Sequence, residues 1–190
     1  MHMRAWITLA ALLVAGATDA GEKPLERYDC IVMVTNAPAS GMVRIRLTID
    51  RWSTPEERKA YVEAIKSGGS SALASAMEKL DVGSIQVEQN LRYPIAYAIK
   101  AQTPKGELIR VATNRPIGFV ESMRGFVSLD YPIGVVELVF PPGKPGTGFI
   151  LGAASVKFDK DGQLEVKSHP RNTGPQRITQ ATREKGKDES

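Results

Sequence analysis

The chain is poor in the side chains that make and break bonds. Its 190 residues include one cysteine, Cys30, and two histidines, His2 and His169. A lone cysteine excludes an intrachain disulfide, and a zinc centre needs three or four Cys, His or carboxylate ligands. A serine or cysteine nucleophile is usually activated by an oriented imidazole, and here only His169, in the loop-like Ser-His-Pro-Arg-Asn, could serve after removal of a leader. A Cys30–His169 dyad requires a buried strand thiol to meet a loop imidazole. Clustered charge is also lacking. The formal charge is +4, with both signs interspersed, whereas a nucleic-acid binder carries a basic stripe. No glycine pattern cradles phosphate, because Pro145 interrupts Gly143 to Gly148 and no helix follows it. The expectation is therefore no metal, no cofactor and no nucleic-acid partner.

What is present begins with a leader. Met1 to Arg4 is cationic, Ala5 to Ala17 is an uncharged apolar run, and Thr18-Asp19-Ala20 offers small residues where a signal peptidase reads. This three-part pattern is that of a Sec-type signal peptide over residues 1–20, cleaved near Ala20, and its apolar run is too short to persist as a spanning helix. The mature chain is expected to be secreted or periplasmic, with no transmembrane segment. Residues 21–182 have the size of one domain, and residues 183–190 read as a disordered charged tail.

Along that domain, Tyr28 to Val34 reads as a strand that buries Cys30. Met42 to Asp50 alternates Val43, Ile45, Leu47 and Ile49 with Arg44, Arg46, Thr48 and Asp50, so one face is apolar and the other wet. Arg44 and Arg46 could together hold an anion or simply solubilise that face. Thr54-Pro55-Glu56-Glu57 starts a helix with an N-cap, a proline at the first position and a capping-box glutamate. Gly68-Gly69 is expected to divide the helical stretch into two short helices. Ser84 onward is almost all β, including 93–101, 108–113, 133–140 and 148–158, with 176–181 as a last edge strand. The fold expected is α+β: a mostly antiparallel sheet, curved or partly closed, with an inserted helical hairpin.

Asp159-Lys160-Asp161-Gly162 lacks the remaining ligands of a calcium loop and reads as a hairpin turn. The segment from Thr113 to Tyr131 places polar residues in turns rather than on a periodic surface. Arg115, Arg124 and Tyr131 are its candidate binding residues. Glu121 and Asp130 are its weak candidates for a catalytic carboxylate pair, and an internal Arg115–Asp130 salt bridge accounts for some of the same residues.

Three stretches carry a resemblance: Trp52-Ser53-Thr54-Pro55-Glu56-Glu57-Arg58, Asn114-Arg115-Pro116-Ile117-Gly118-Phe119, and Leu129-Asp130-Tyr131-Pro132. In this order the chain resembles an uncharacterised family of exported bacterial proteins of similar length, with Asn114 where aspartate is usual and Val120 where tryptophan is common. The resemblance implies export and a single domain, and it implies no activity. The functional expectation is thus a non-catalytic binding or interaction module of the periplasm or cell envelope, whose partner is an unknown small ligand or envelope protein. The alternative is a carboxylate-dependent hydrolase using Glu121 and Asp130.

Overall fold

The structure, a computed structural model, describes residues 26–35, 41–88, 91–118, 130–158, 162, 164–168 and 175–184. Among these described residues are nine strands and one helix. The strands are β1 (Glu26–Val34), β2 (Gly41–Ile49), β3 (Gly83–Val87), β4 (Leu91–Thr103), β5 (Gly106–Thr113), β6 (Ile133–Phe140), β7 (Gly146–Phe158), β8 (Leu164–Ser168) and β9 (Gln176–Arg183). The helix α1 (Pro55–Met77) lies between β2 and β3.

Each strand pairs antiparallel with its neighbour from β1 to β7, and β9 then pairs with both β7 and β1. Eight strands thereby close into a barrel, and β8 extends the far half of β7 beyond the seam. This overturns the α+β arrangement of a partly closed sheet with an inserted helical hairpin. The correction has two physical causes. The stretch expected to form an edge strand is the closing strand, because Ile178 and Ala181 project inward, fully buried, from between β1 and β7. The helical stretch does break at Gly68 and Gly69, as expected, with Gly69 at φ 61. Its two segments nevertheless join across a kink into one element, Pro55–Met77, and do not form a hairpin. The break is held by Ser70, whose hydroxyl accepts from the Val156 amide at 2.6 Å and donates to the Val156 carbonyl at 3.0 Å.

The period-two alternation of the strands fills the lumen. Tyr28, Ile45, Leu47, Ile49, Ile85, Ile95, Ile109, Leu138 and Ile150 are all essentially inaccessible and belong to one cluster. Each such side chain contributes about 1.5–3 kcal/mol by leaving water, and an eight-stranded barrel is just wide enough for side chains to fill it. A second cluster lies outside the barrel wall. There Tyr61, Leu73 and Met77 of α1 cover Ala96, Ala112, Ile133, Leu151, Ala154 and Val156. Tyr61 donates to the Ala96 carbonyl at 2.8 Å, fixing the helix to β4. The helix starts as its sequence dictates: Thr54 accepts from the Glu57 amide, and Glu57 accepts from the Thr54 amide.

The helix covers the β4–β7 side and leaves the outer wall of β9, β1, β2 and β3 open to water. That wall carries Arg27, Asp29, Arg44 and Arg46 while the lumen is apolar, the reverse of the alternation in a barrel that spans a bilayer. Among the described residues no helix is long and apolar enough to cross a membrane.

Candidate functional site

The two ends of the barrel are closed by different devices. At the end where β1 begins and β9 finishes, the inward-facing rows end in charge. Lys100 lies 2.7 Å from Glu26 and 3.4 Å from Glu107, and Arg183 pairs with both Glu26 and Glu107. The guanidinium of Arg183 also stacks over the rings of Tyr28 and Phe140. Burial alone would raise the Glu26 carboxyl. Hydrogen bonds from Lys100 and Tyr28, with the charges of Lys100 and Arg183, outweigh burial and hold it below its ordinary value.

At the opposite end, the stretch after β5 folds back as a plug. Ile117, 2% exposed, joins the luminal cluster, and its amide donates to the Gly152 carbonyl at 2.6 Å. Thr113 organises the bend by donating to the Arg115 carbonyl and accepting from the Gly134 amide. Arg115, expected as a binding residue, is an exposed clamp here: it stacks 4.9 Å from the Tyr93 ring centroid and donates to the Arg92 carbonyl at 2.6 Å. These contacts to β4 occupy it in place of the expected ion pair with Asp130. Asp130 is exposed and Tyr131 half-buried. Glu121, Arg124 and His169 lie outside the described residues, as do Asp159 to Asp161. Cys30 is buried in the lumen, and burial, aided by the charge of Asp29, pushes its thiol up to about 12. At neutral pH it is therefore a protonated core residue.

The described residues that form a concave, charged surface are elsewhere. An open cleft of about 410 Å³ on the uncovered wall is lined by Asp29, Arg44, Arg46, Gln86 and Glu88. Strand parity puts them there, since Asp29 faces Arg46 across β1–β2 and Arg46 faces Gln86 across β2–β3. Arg46 Nε donates to Asp29 Oδ1 at 2.9 Å, and its guanidinium lies 3.5 Å from Glu184. The hydrogen bond that Arg46 donates to Asp29, then the charge of Asp29 and that of Glu184, stabilise the Arg46 cation. Glu88 turns the chain out of β3 at φ 52, a left-handed conformation that is costly for a side-chain-bearing residue. Two bonds to Arg44 hold it: the Glu88 amide donates to the Arg44 carbonyl at 2.9 Å, and the Arg44 amide donates to Glu88 Oε1 at 2.9 Å.

Among the described residues the Arg44 guanidinium has no ion-pair or hydrogen-bond partner. A free guanidinium between fixed carboxylates can take an anionic group, while Asp29 and Glu88 can accept from hydroxyls or amines. Sequence reasoning singled out Arg44 and Arg46 but missed Asp29, Gln86 and Glu88. The signal available was the short β1–β2 connection, which sets Asp29 opposite Arg46 once a hairpin is assumed. Among the described residues no group of three or more His, Cys, Asp or Glu side chains is placed to hold a metal ion.

Comparison with known proteins finds no matching family, no similar curated protein and no similar solved structure.

Proposed function

We propose that this protein is an exported binding module, non-catalytic, which contacts its ligand through the open wall of β9, β1, β2 and β3 rather than through the barrel lumen. The observation that carries the reading is the division of the barrel. Its described luminal side chains form one buried cluster closed at both ends, and its charged cleft lies outside on the half that α1 leaves bare. Export rests on the leader-like residues 1–20 and on the family resemblance, and N-terminal sequencing of the mature protein tests it directly.

Two-dimensional amide NMR of the full mature chain with glucuronate and inorganic phosphate as probes tests the site. Saturable shifts confined to β1, β2 and β3, lost in Arg44→Glu, are the expected result. Shifts confined to luminal residues would refute it. Turnover of a hydrolase substrate panel that disappears in Glu121→Gln and Asp130→Asn would establish the carboxylate hydrolase in its place.

A further inference from the structure

We infer that the wall beside this cleft is a peripheral contact for an anionic lipid surface, with Met33 and Met42 entering the interface and Arg44 and Arg177 meeting its phosphates. The inference rests on the binding-module reading and names its partner. Three large hydrophobic side chains are exposed among the described residues: Met33 at 42%, Met42 at 73% and Val62 at 39%. Two of the three are direct cross-strand partners, Met33 of β1 opposite Met42 of β2. Such adjacency concentrates apolar surface where single exposed residues would need no explanation.

The cations around the pair complete the pattern. Arg177 of β9 faces Met33 across β1–β9, so Arg177, Met33 and Met42 form one row over three strands. Arg44 stands two residues along β2 from Met42, on the same outward face. Both arginines are exposed, and among the described residues neither guanidinium has an ion-pair or hydrogen-bond partner. The neighbouring Arg46, by contrast, is already paired with Asp29 and Glu184. Two uncommitted cations thus flank two thioether side chains, which are unbranched and adapt to an irregular apolar surface.

The size of the patch decides the partner. A stable protein interface takes about 20–30 residues from each side, far more than two methionines and two arginines supply. A second copy of this chain would set arginine against arginine. Weak insertion reinforced by charge is what a small amphipathic patch gives at an anionic bilayer, with each arginine strengthening binding about fivefold.

The test is co-sedimentation of the full mature chain with vesicles of phosphatidylethanolamine and phosphatidylglycerol, against vesicles of phosphatidylcholine alone. The expected result is binding to the anionic vesicles only, weakened by added salt, and reduced by roughly tenfold or more in the charge-reversed Arg44→Glu/Arg177→Glu. Met42→Ser should also weaken it, whereas Val62→Ser should not, and circular dichroism checks that each exposed-site variant is folded. Equal binding to phosphatidylcholine overturns the inference. Binding that survives Met42→Ser and is displaced by inorganic phosphate also overturns it, since the patch would then be a simple anion site. Self-association lost in Met42→Ser, without vesicle binding, would make the patch a contact between copies and overturn it too. If vesicles are not bound while glucuronate or phosphate still shifts the β1–β3 amides, the lipid inference falls and the binding module stands; silence in both measurements removes both.

Discussion

The Tyr93 hydroxyl makes a two-way contact with the main chain of Gly118, accepting from its amide at 3.0 Å and donating to its carbonyl at 3.2 Å. One phenol thereby satisfies both polar groups of a residue that follows directly on the plug residue Ile117. Tyr93→Phe keeps the ring under Arg115 but leaves the half-buried amide and carbonyl unpaired. The expected loss is about 1–3 kcal/mol, read as a shift in the urea midpoint with an unchanged slope. A midpoint identical to that of the parent protein would show that the plug does not depend on this contact.

Acid should loosen the opposite end first. Glu26 has a folded-state pKa below its unfolded value, so its contribution to stability is present above the ordinary carboxylate range and lost as pH falls through the folded value. The melting temperature should therefore decline from about pH 5 downward. Glu26→Gln should be less stable at neutral pH and should decline less steeply in acid. Parallel pH profiles for the two proteins would exclude Glu26 as the group responsible.

The close approach of β6 and β7 depends on one glycine. A Cβ built at Gly148 would lie 1.8 Å from the Glu137 carbonyl oxygen, which is main chain and cannot step aside. At Gly41, at the start of β2, a Cβ would meet nothing within 4 Å. Gly148→Ala should cost several kcal/mol or prevent folding, while Gly41→Ala should stay within about 1 kcal/mol of the parent. Thermal denaturation of the pair, side by side, checks the contrast.

Removing the helix cap gives a smaller and separable effect. Thr54→Ala deletes the hydroxyl that accepts from the Glu57 amide but leaves the Arg51–Glu57 ion pair, whose guanidinium and carboxylate meet at 2.8 and 2.9 Å. The expected cost is about 1 kcal/mol. Amide exchange should accelerate in the first turn of α1 and not in β4.

Cys30 offers a direct probe of the lumen. A thiol that is buried and pushed up to about 12 should not react with Ellman's reagent at neutral pH unless the barrel opens. The modification rate should rise with urea in step with unfolding. Rapid labelling of the native protein would mean that the luminal cluster is open to solvent.

Local features of this fold are legible in the residues, and the features that depend on distant partners are not. The alternation from Val43 to Ile49 announces β2 because each residue reports its own face. Thr54, Pro55 and Glu57 announce α1 because a capping box is complete within four residues. Closure is different: β1 and β9 meet across nearly the whole chain, as in the Thr179 bond to Ile31 148 residues away. Nothing within either segment encodes that register. The charged ring is hidden for the same reason, since Lys100 and Glu107 look like surface residues until their strands are wrapped around a common axis. Arg115 illustrates the limit for sites. A clamp stacked on tyrosine and a ligand-binding arginine carry the same letter in the same kind of turn, and only the position of Tyr93 distinguishes them.

The pairing of the earliest strand with the final one has a consequence for biogenesis. A nascent polypeptide that stops short of Gln176 already holds every other stave, yet it presents two raw margins, that of β1 and that of the first half of β7, with their amides and carbonyls bare. Sealing must wait for β9, and contacts so remote in sequence are slow to form. A polypeptide threaded lengthwise through a narrow pore would thus remain unsealed until β9 was through.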